Sequence, residues 1–181
     1  EVVVEGNCYV SDRFERCCVG IENGRIVRIA KILEGDKVYR FNNKIVLPAA
    51  IDAHVHFRDP GMTDKEDFGT GSLAALHGGV TCAFDMPNTL PPTTSISALR
   101  EKKKIASSKS HCDFGLFAGV TSGIDVSSLA KEAIGFKLYM AGTTGDLAVP
   151  SLENLKNELT EIARTGKVLA VHAEDERLRK K

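Results

Sequence analysis

The chain has 181 residues, with 24 Lys and Arg balanced by 24 Asp and Glu for a formal net charge of zero. That balance removes the usual electrostatic case for a nucleic-acid binder or a membrane-surface protein, and 43% hydrophobic with 27% charged residues are globular values. No apolar run nears the roughly 18 residues of a spanning helix and no secretory leader opens the chain, so a soluble, cytoplasmic protein is expected.

Taken in chain order, residues 1–47 read as β. A strand begins at Val2-Val3-Val4, and Cys17 to Glu22 and Arg25 to Ile29 flank Asn23-Gly24, the dipeptide of a two-residue hairpin turn. Lys37 to Phe41 and Ile45 to Leu47 follow, giving a small antiparallel sheet too short to close a core alone. The five cysteines (Cys8, Cys17, Cys18, Cys82, Cys112) form no C-x-x-C and are expected to be buried and reduced.

From residue 48 to residue 181 short apolar runs alternate with amphipathic stretches. Strands are expected at Ala50 to Phe57, Val80 to Met86, Asp113 to Val120, Phe136 to Met140 and Lys167 to Ala173. Helices are expected around Lys65 to Leu76, Ile96 to Ala106, Val126 to Ala133 and Leu152 to Ala163. Thr63 with Glu66 fits a capping box, Ser151 follows Pro150 at a first turn, and Gly78-Gly79 and Gly166 mark stops. The alternation implies parallel β/α units whose strands are buried on both faces. An open doubly wound sheet and the first part of a (β/α)8 barrel both fit, and no glycine-rich phosphate loop follows the first strand.

That strand instead ends in histidines. His54 and His56 are two apart, so both imidazoles leave on one face and can share a metal. They lie at the C-terminal strand end, where α/β folds place their sites. Asp52 shares their face, either orienting a ligand or serving as a structural acid. Arg58 projects towards the same mouth with a fork suited to a carboxylate, unless it pairs with Asp59 or Asp67. Lys137 lies inside an apolar strand, where an ammonium is depressed in pKa, paired or modified, unless it snorkels to solvent. His77 and His111 read as structural or surface residues.

Asp52-Ala53-His54-Val55-His56-Phe57-Arg58-Asp59-Pro60-Gly61, Lys65-Glu66-Asp67-Phe68, Gly78-Gly79-Val80-Thr81 and Met86-Pro87-Asn88-Thr89 together resemble dihydroorotase, in the cyclic-amide branch of the amidohydrolases. The resemblance runs from about Gly6 to the end and is densest between Val46 and Pro92. It implies a (β/α)8 TIM-type barrel, with residues 48–181 supplying about its first five units, flanked by a small β-sandwich to which residues 1–47 contribute. It implies two Zn2+ ions held by His54, His56, His172 and a carbamylated, bridging Lys137, with Arg58 and Asn88 on the substrate carboxylate.

The implied reaction is the reversible cyclisation of N-carbamoyl-L-aspartate to L-dihydroorotate, in de novo pyrimidine synthesis. Implied partners are that small molecule and either a second copy of the chain or aspartate transcarbamoylase, with neither nucleic acid nor membrane. A complete barrel takes about 250 residues, so the 181 residues are expected to be the N-terminal portion, inactive alone. The proton-shuttling Asp is then expected beyond residue 181. Hydantoinase-like or allantoinase-like hydrolysis, and a metal-free scaffold for aspartate transcarbamoylase, are the competing readings.

Overall fold

The computed structural model describes residues 1–144, 146–149, 153–175 and 178. The chain divides into two compact units, Glu1–Ala49 and Ala50–Lys181. In the first, β1 (Val2–Val10), β2 (Arg13–Glu22), β3 (Arg25–Ala30) and β4 (Lys37–Val46) form one sheet in the order β3-β2-β1-β4. Asn23 and Gly24 take φ of 50° and 73°, the positive pair that a tight β2–β3 hairpin demands.

Two expectations for this unit are corrected. The sheet is mixed rather than antiparallel, because β4 returns alongside β1 in parallel, starting at Val2↔Lys37. The carbonyl of Glu1 receives the amides of Asp36 and Lys37 and so sets that register. The run from Lys37 to Val46 is also one strand rather than two, with Asn42 to Lys44 taken up as a bulge opposite Gly6 and Asn7. The described residues of the unit supply a single sheet, so the two-layer sandwich is not seen in them. Cys8, Cys17 and Val19 form its small buried cluster. All five cysteines are free thiols, and burial pushes Cys8 up to about 11.

The second unit runs β5 (Ala50–Val55), α1 (Phe68–His77), β6 (Val80–Asp85), α2 (Ile96–Lys109), β7 (Asp113–Gly119), α3 (Val126–Leu129), β8 (Gly135–Tyr139), a 3₁₀ turn (Glu153–Leu155), α4 (Lys156–Thr165) and β9 (Val168–His172). Its strands are parallel and lie in chain order, β5-β6-β7-β8-β9. A doubly wound sheet would reverse direction at a switch point. Monotonic order is the path of a barrel wall, so the unit is a partial (β/α) barrel.

Its core is built from Phe68, Leu99, Leu129, Phe136, Leu138, Leu155 and Ile162, all at most 2% exposed. The expected burial on both faces holds for β8, which is buried throughout, and fails for β5, which is exposed from Ala50 to His54. An outer strand has a neighbour on one side only.

Local chemistry also adjusts the helix ends. Asp67, not Thr63, caps α1, its carboxylate accepting from Thr70 N at 2.8 Å. Ser95 caps α2 and Asp125 caps α3, which is shorter than its apolar spacing suggests. Gly78 and Gly166 close α1 and α4 as expected, Gly166 with φ of 68°. The cap expected at Ser151 lies outside the described residues. Among the described residues no helix is long and apolar enough to cross a membrane.

Candidate active site

The C-terminal end of β5 is set by polar contacts made before its histidines. Asp52 Oδ1 accepts the amide of His54 at 3.0 Å, so this acid shapes the backbone beneath the first imidazole. His54 is in the strand and His56 lies just past it, yet their rings stay together, with centroids 5.2 Å apart. His56 Nδ1 donates to Asn88 Oδ1 at 2.7 Å, which leaves Nε2 as the lone pair. Asn88 is 5% exposed, and its Nδ2 donates to Thr143 Oγ1 at 3.3 Å.

The chain then turns sharply. Phe57 N donates to Asp85 Oδ1 at 2.7 Å, and Phe57 packs edge-on against Phe68 with ring centroids 5.3 Å apart. Arg58 takes φ of 62°, an uncommon conformation for a non-glycine residue. Gly61 has φ of 91°, and a Cβ there would stand 2.1 Å from the Leu90 carbonyl oxygen, so only glycine lets the loops after β5 and β6 close on one another. Asp59 and Asp67 are both taken by Lys109, at 2.7 and 3.6 Å. Arg58 therefore pairs with neither, and no carboxylate reaches it among the described residues.

Lys137 and His172 come from the other side of the sheet. Lys137 is 3% exposed in β8, and burial depresses its amine below the ordinary lysine range. No acid pairs with it among the described residues. Its Nζ stands 5.3 Å from the centre of the Tyr139 ring, and that ring lies 5.9 Å from the ring of His172, its direct partner on β9. Tyr139 Oη is buried without a hydrogen-bond partner, and burial raises its pKa.

His54 is held below the ordinary imidazole range by desolvation first, then by the charges of Lys137 and His172. Five strands laid flat would separate β5 from β9 by roughly 19 Å. The influence of Lys137 and His172 on His54 sets the ends of β8 and β9 within electrostatic reach of β5. His56 is likewise lowered, chiefly by burial, with the Asn88 bond opposing.

The structure thus brings His54, His56, Lys137 and His172 into one electrostatic neighbourhood, with Arg58 and Asn88 beside His56. Among the described residues no three His, Cys, Asp or Glu side chains converge as a ready metal cage. The donor set nonetheless suits a borderline cation. Two imidazoles are held below their ordinary range, a third follows on β9, the buried amine has no acid partner among the described residues, and an orphaned hydroxyl borders them. His77 ends α1 and His111 gives its amide to Ser72 Oγ at 2.8 Å, so both stand apart as expected.

Sequence reasoning passed over Asp85, Lys102 and Tyr139. Lys102 is 1% exposed and Asp85 fully buried, and they form an ion pair at 2.5 Å. A lysine on the apolar stripe of α2 with Leu99 and Ala106 was the signal available for that pair. Tyr139 could have been found from its place two residues beyond Lys137, on the same strand face.

A family model described as the amidohydrolase family matches residues 45–178. Proteins named dihydroorotase from Methanosarcina acetivorans and Methanosarcina mazei are 43% and 40% identical to the chain, over 88% and 94% of it. The chain spans only 35% and 39% of those relatives' lengths. Among solved structures, an L-hydantoinase (dihydropyrimidinase) from Arthrobacter aurescens superposes with a TM-score of 0.88 at 31% identity. That likeness covers 99% of this chain and 42% of the other.

Proposed function

The chain belongs to the amidohydrolase family, and on that premise we propose that it carries the first part of a dihydroorotase active site. The reaction is the reversible, zinc-dependent cyclisation of N-carbamoyl-L-aspartate to L-dihydroorotate, in the pyrimidine pathway and in the cytoplasm. The observation that carries the reading is Arg58. Its guanidinium is half-buried beside His56, and Lys109 takes the two acids that would otherwise quench it. A bidentate cation held open there suits a substrate carboxylate. Identity to proteins named dihydroorotase supports the same substrate class.

His54, His56, His172 and Lys137 would hold two Zn2+ ions. Burial holds the Lys137 amine below the ordinary lysine range; its unprotonated form would add carbon dioxide, forming an N–C bond and releasing one proton, so that two carbamate oxygens replace one nitrogen. Zinc, when bound, supplies Lewis acidity to water and to the scissile carbonyl. The chain's own residues position the reactants. Asn88 holds the His56 ring with its lone pair outward, and the second Nδ2 hydrogen of Asn88 remains available to substrate. Arg58 fixes the ring of the substrate for attack.

The test is kinetic and uses the full-length protein. Arg58→Ala is expected to lower kcat/KM for dihydroorotate by about 100-fold, the loss of a charged bidentate contact. Hydantoin or dihydrouracil turnover should stay within about twofold. Equal loss on all substrates would remove the carboxylate role. High activity on hydantoins alone would favour the second reading, which the L-hydantoinase likeness supports. Labelling with 13C-bicarbonate should give a carbamate resonance that Lys137→Ala abolishes.

A further inference from the structure

The loop after β5 is gripped from behind by a single helix. Lys102 Nζ donates to the Met86 carbonyl at 2.8 Å while standing 2.5 Å from Asp85 Oδ2. The other oxygen of Asp85 receives the amide of Phe57 at 2.7 Å, and Met86 N donates to Val55 O at 3.0 Å. Residues 85 and 86 are thereby stitched to residues 55 and 57, on either side of His56. Two positions further on, Asn88 holds the His56 ring itself. Seven residues along α2, Lys109 ties down Asp59 in the same loop.

A fully buried carboxylate is stable in one place only while its cation is present.

We infer that the buried Lys102–Asp85 pair is a positioning device for the metal-binding strand end, holding the Phe57 amide so that His54 and His56 keep a shared aim. It rests on the metal reading above. Lys102 acts through Asp85, and Asp85 through one backbone amide, so neither touches metal or substrate. The distinguishing feature is the acceptor oxygen, not the charge. Any buried residue at 85 that accepts from Phe57 should preserve the site, and one that cannot should loosen it even where the fold survives.

The experiment compares three variants in the full-length protein: Lys102→Met, Lys102→Met with Asp85→Asn, and Lys102→Met with Asp85→Ala. Zinc affinity is read by chelator competition, strand-end geometry by the visible spectrum of the Co2+ form, and folding by thermal melting without metal. Supporting groups behind metal ligands typically govern affinity by about 10–100-fold. Lys102→Met is expected to melt early and bind zinc that much more weakly.

The Asn variant is expected to recover both properties, because its amide oxygen still accepts from Phe57. The Ala variant, relieved of the stranded charge, is expected to melt above Lys102→Met yet keep the 10–100-fold deficit and a shifted cobalt band. Wild-type zinc affinity in the Ala variant overturns the inference, as does failure of the Asn variant to recover. If Lys102→Met does not fold, the two double variants decide alone.

Amide hydrogen exchange at Phe57, measured without metal, separates this inference from the metal reading. Protection should persist in the wild type and the Asn variant and collapse in the Ala variant; equal protection in all three overturns it. A wild type that binds neither ion while keeping that exchange pattern overturns the metal reading instead.

Discussion

Asn88 shows how a side chain's contacts exceed what its place in the sequence reveals. It lies just past β6, where its carbonyl receives the His56 proton and its amide reaches Thr143. Asn88→Ala leaves His56 Nδ1 without its acceptor and frees the ring to rotate. Zinc affinity should fall by about 10–100-fold, read by chelator competition, whereas Asn88→Asp should keep the acceptor and most of the affinity. The pairing of His54 with His56 was legible because a two-residue period at a strand end sets both imidazoles on one face, whereas Lys137 and His172 were singled out as ligands only through the family resemblance. Asp85 was not, since its importance lies in a contact with Lys102 that is distant in sequence.

Helix α1 shows the same division between local and non-local information. Its position followed from apolar spacing and its stop from Gly78-Gly79, but its cap did not. Thr63 and Asp67 carry equally good capping chemistry, and the loop's attachment through Asp59 and Asp67 to Lys109 selects the later one. The parallel β1–β4 pairing was hidden for a related reason, since a strand's residues do not encode the direction of its partner. Within α1, Gly69 and Gly71 look interchangeable in sequence. A Cβ at Gly71 would stand 2.4 Å from Phe57 Cδ1, whereas one at Gly69 meets nothing nearer than 3.4 Å. Gly69→Ala should stabilise by up to about 1 kcal/mol through helix propensity. Gly71→Ala should destabilise by about 1–2 kcal/mol, because overpacking against Phe57 outweighs that gain. Urea unfolding of both variants provides the comparison.

At the scale of the whole chain, the parallel sheet of the second unit has outer strands with open sides. Ile51 on β5 is 62% exposed, and Val168 and Val171 on β9 are 65% and 43% exposed. Unpaired backbone edged by apolar side chains is a template for association. The 181-residue chain expressed alone is expected to sediment as concentration-dependent oligomers. Combining Ile51→Lys with Val168→Lys should shift it towards monomer, and unchanged sedimentation would show that these edges are not the contact. The alternation of strands and helices announced the parallel units, and the order of strands settled which parallel architecture they build.

The buried pair behind β6 also carries a record across generations. A lone change at Lys102 strands a charge in the core, and a lone change at Asp85 strands the opposite one, so each single step passes through a weakened protein. Natural drift should therefore move positions 85 and 102 in tandem. Among relatives, an apolar residue at 102 is expected alongside a neutral residue at 85, an evolutionary ratchet imposed by 2.5 Å of geometry.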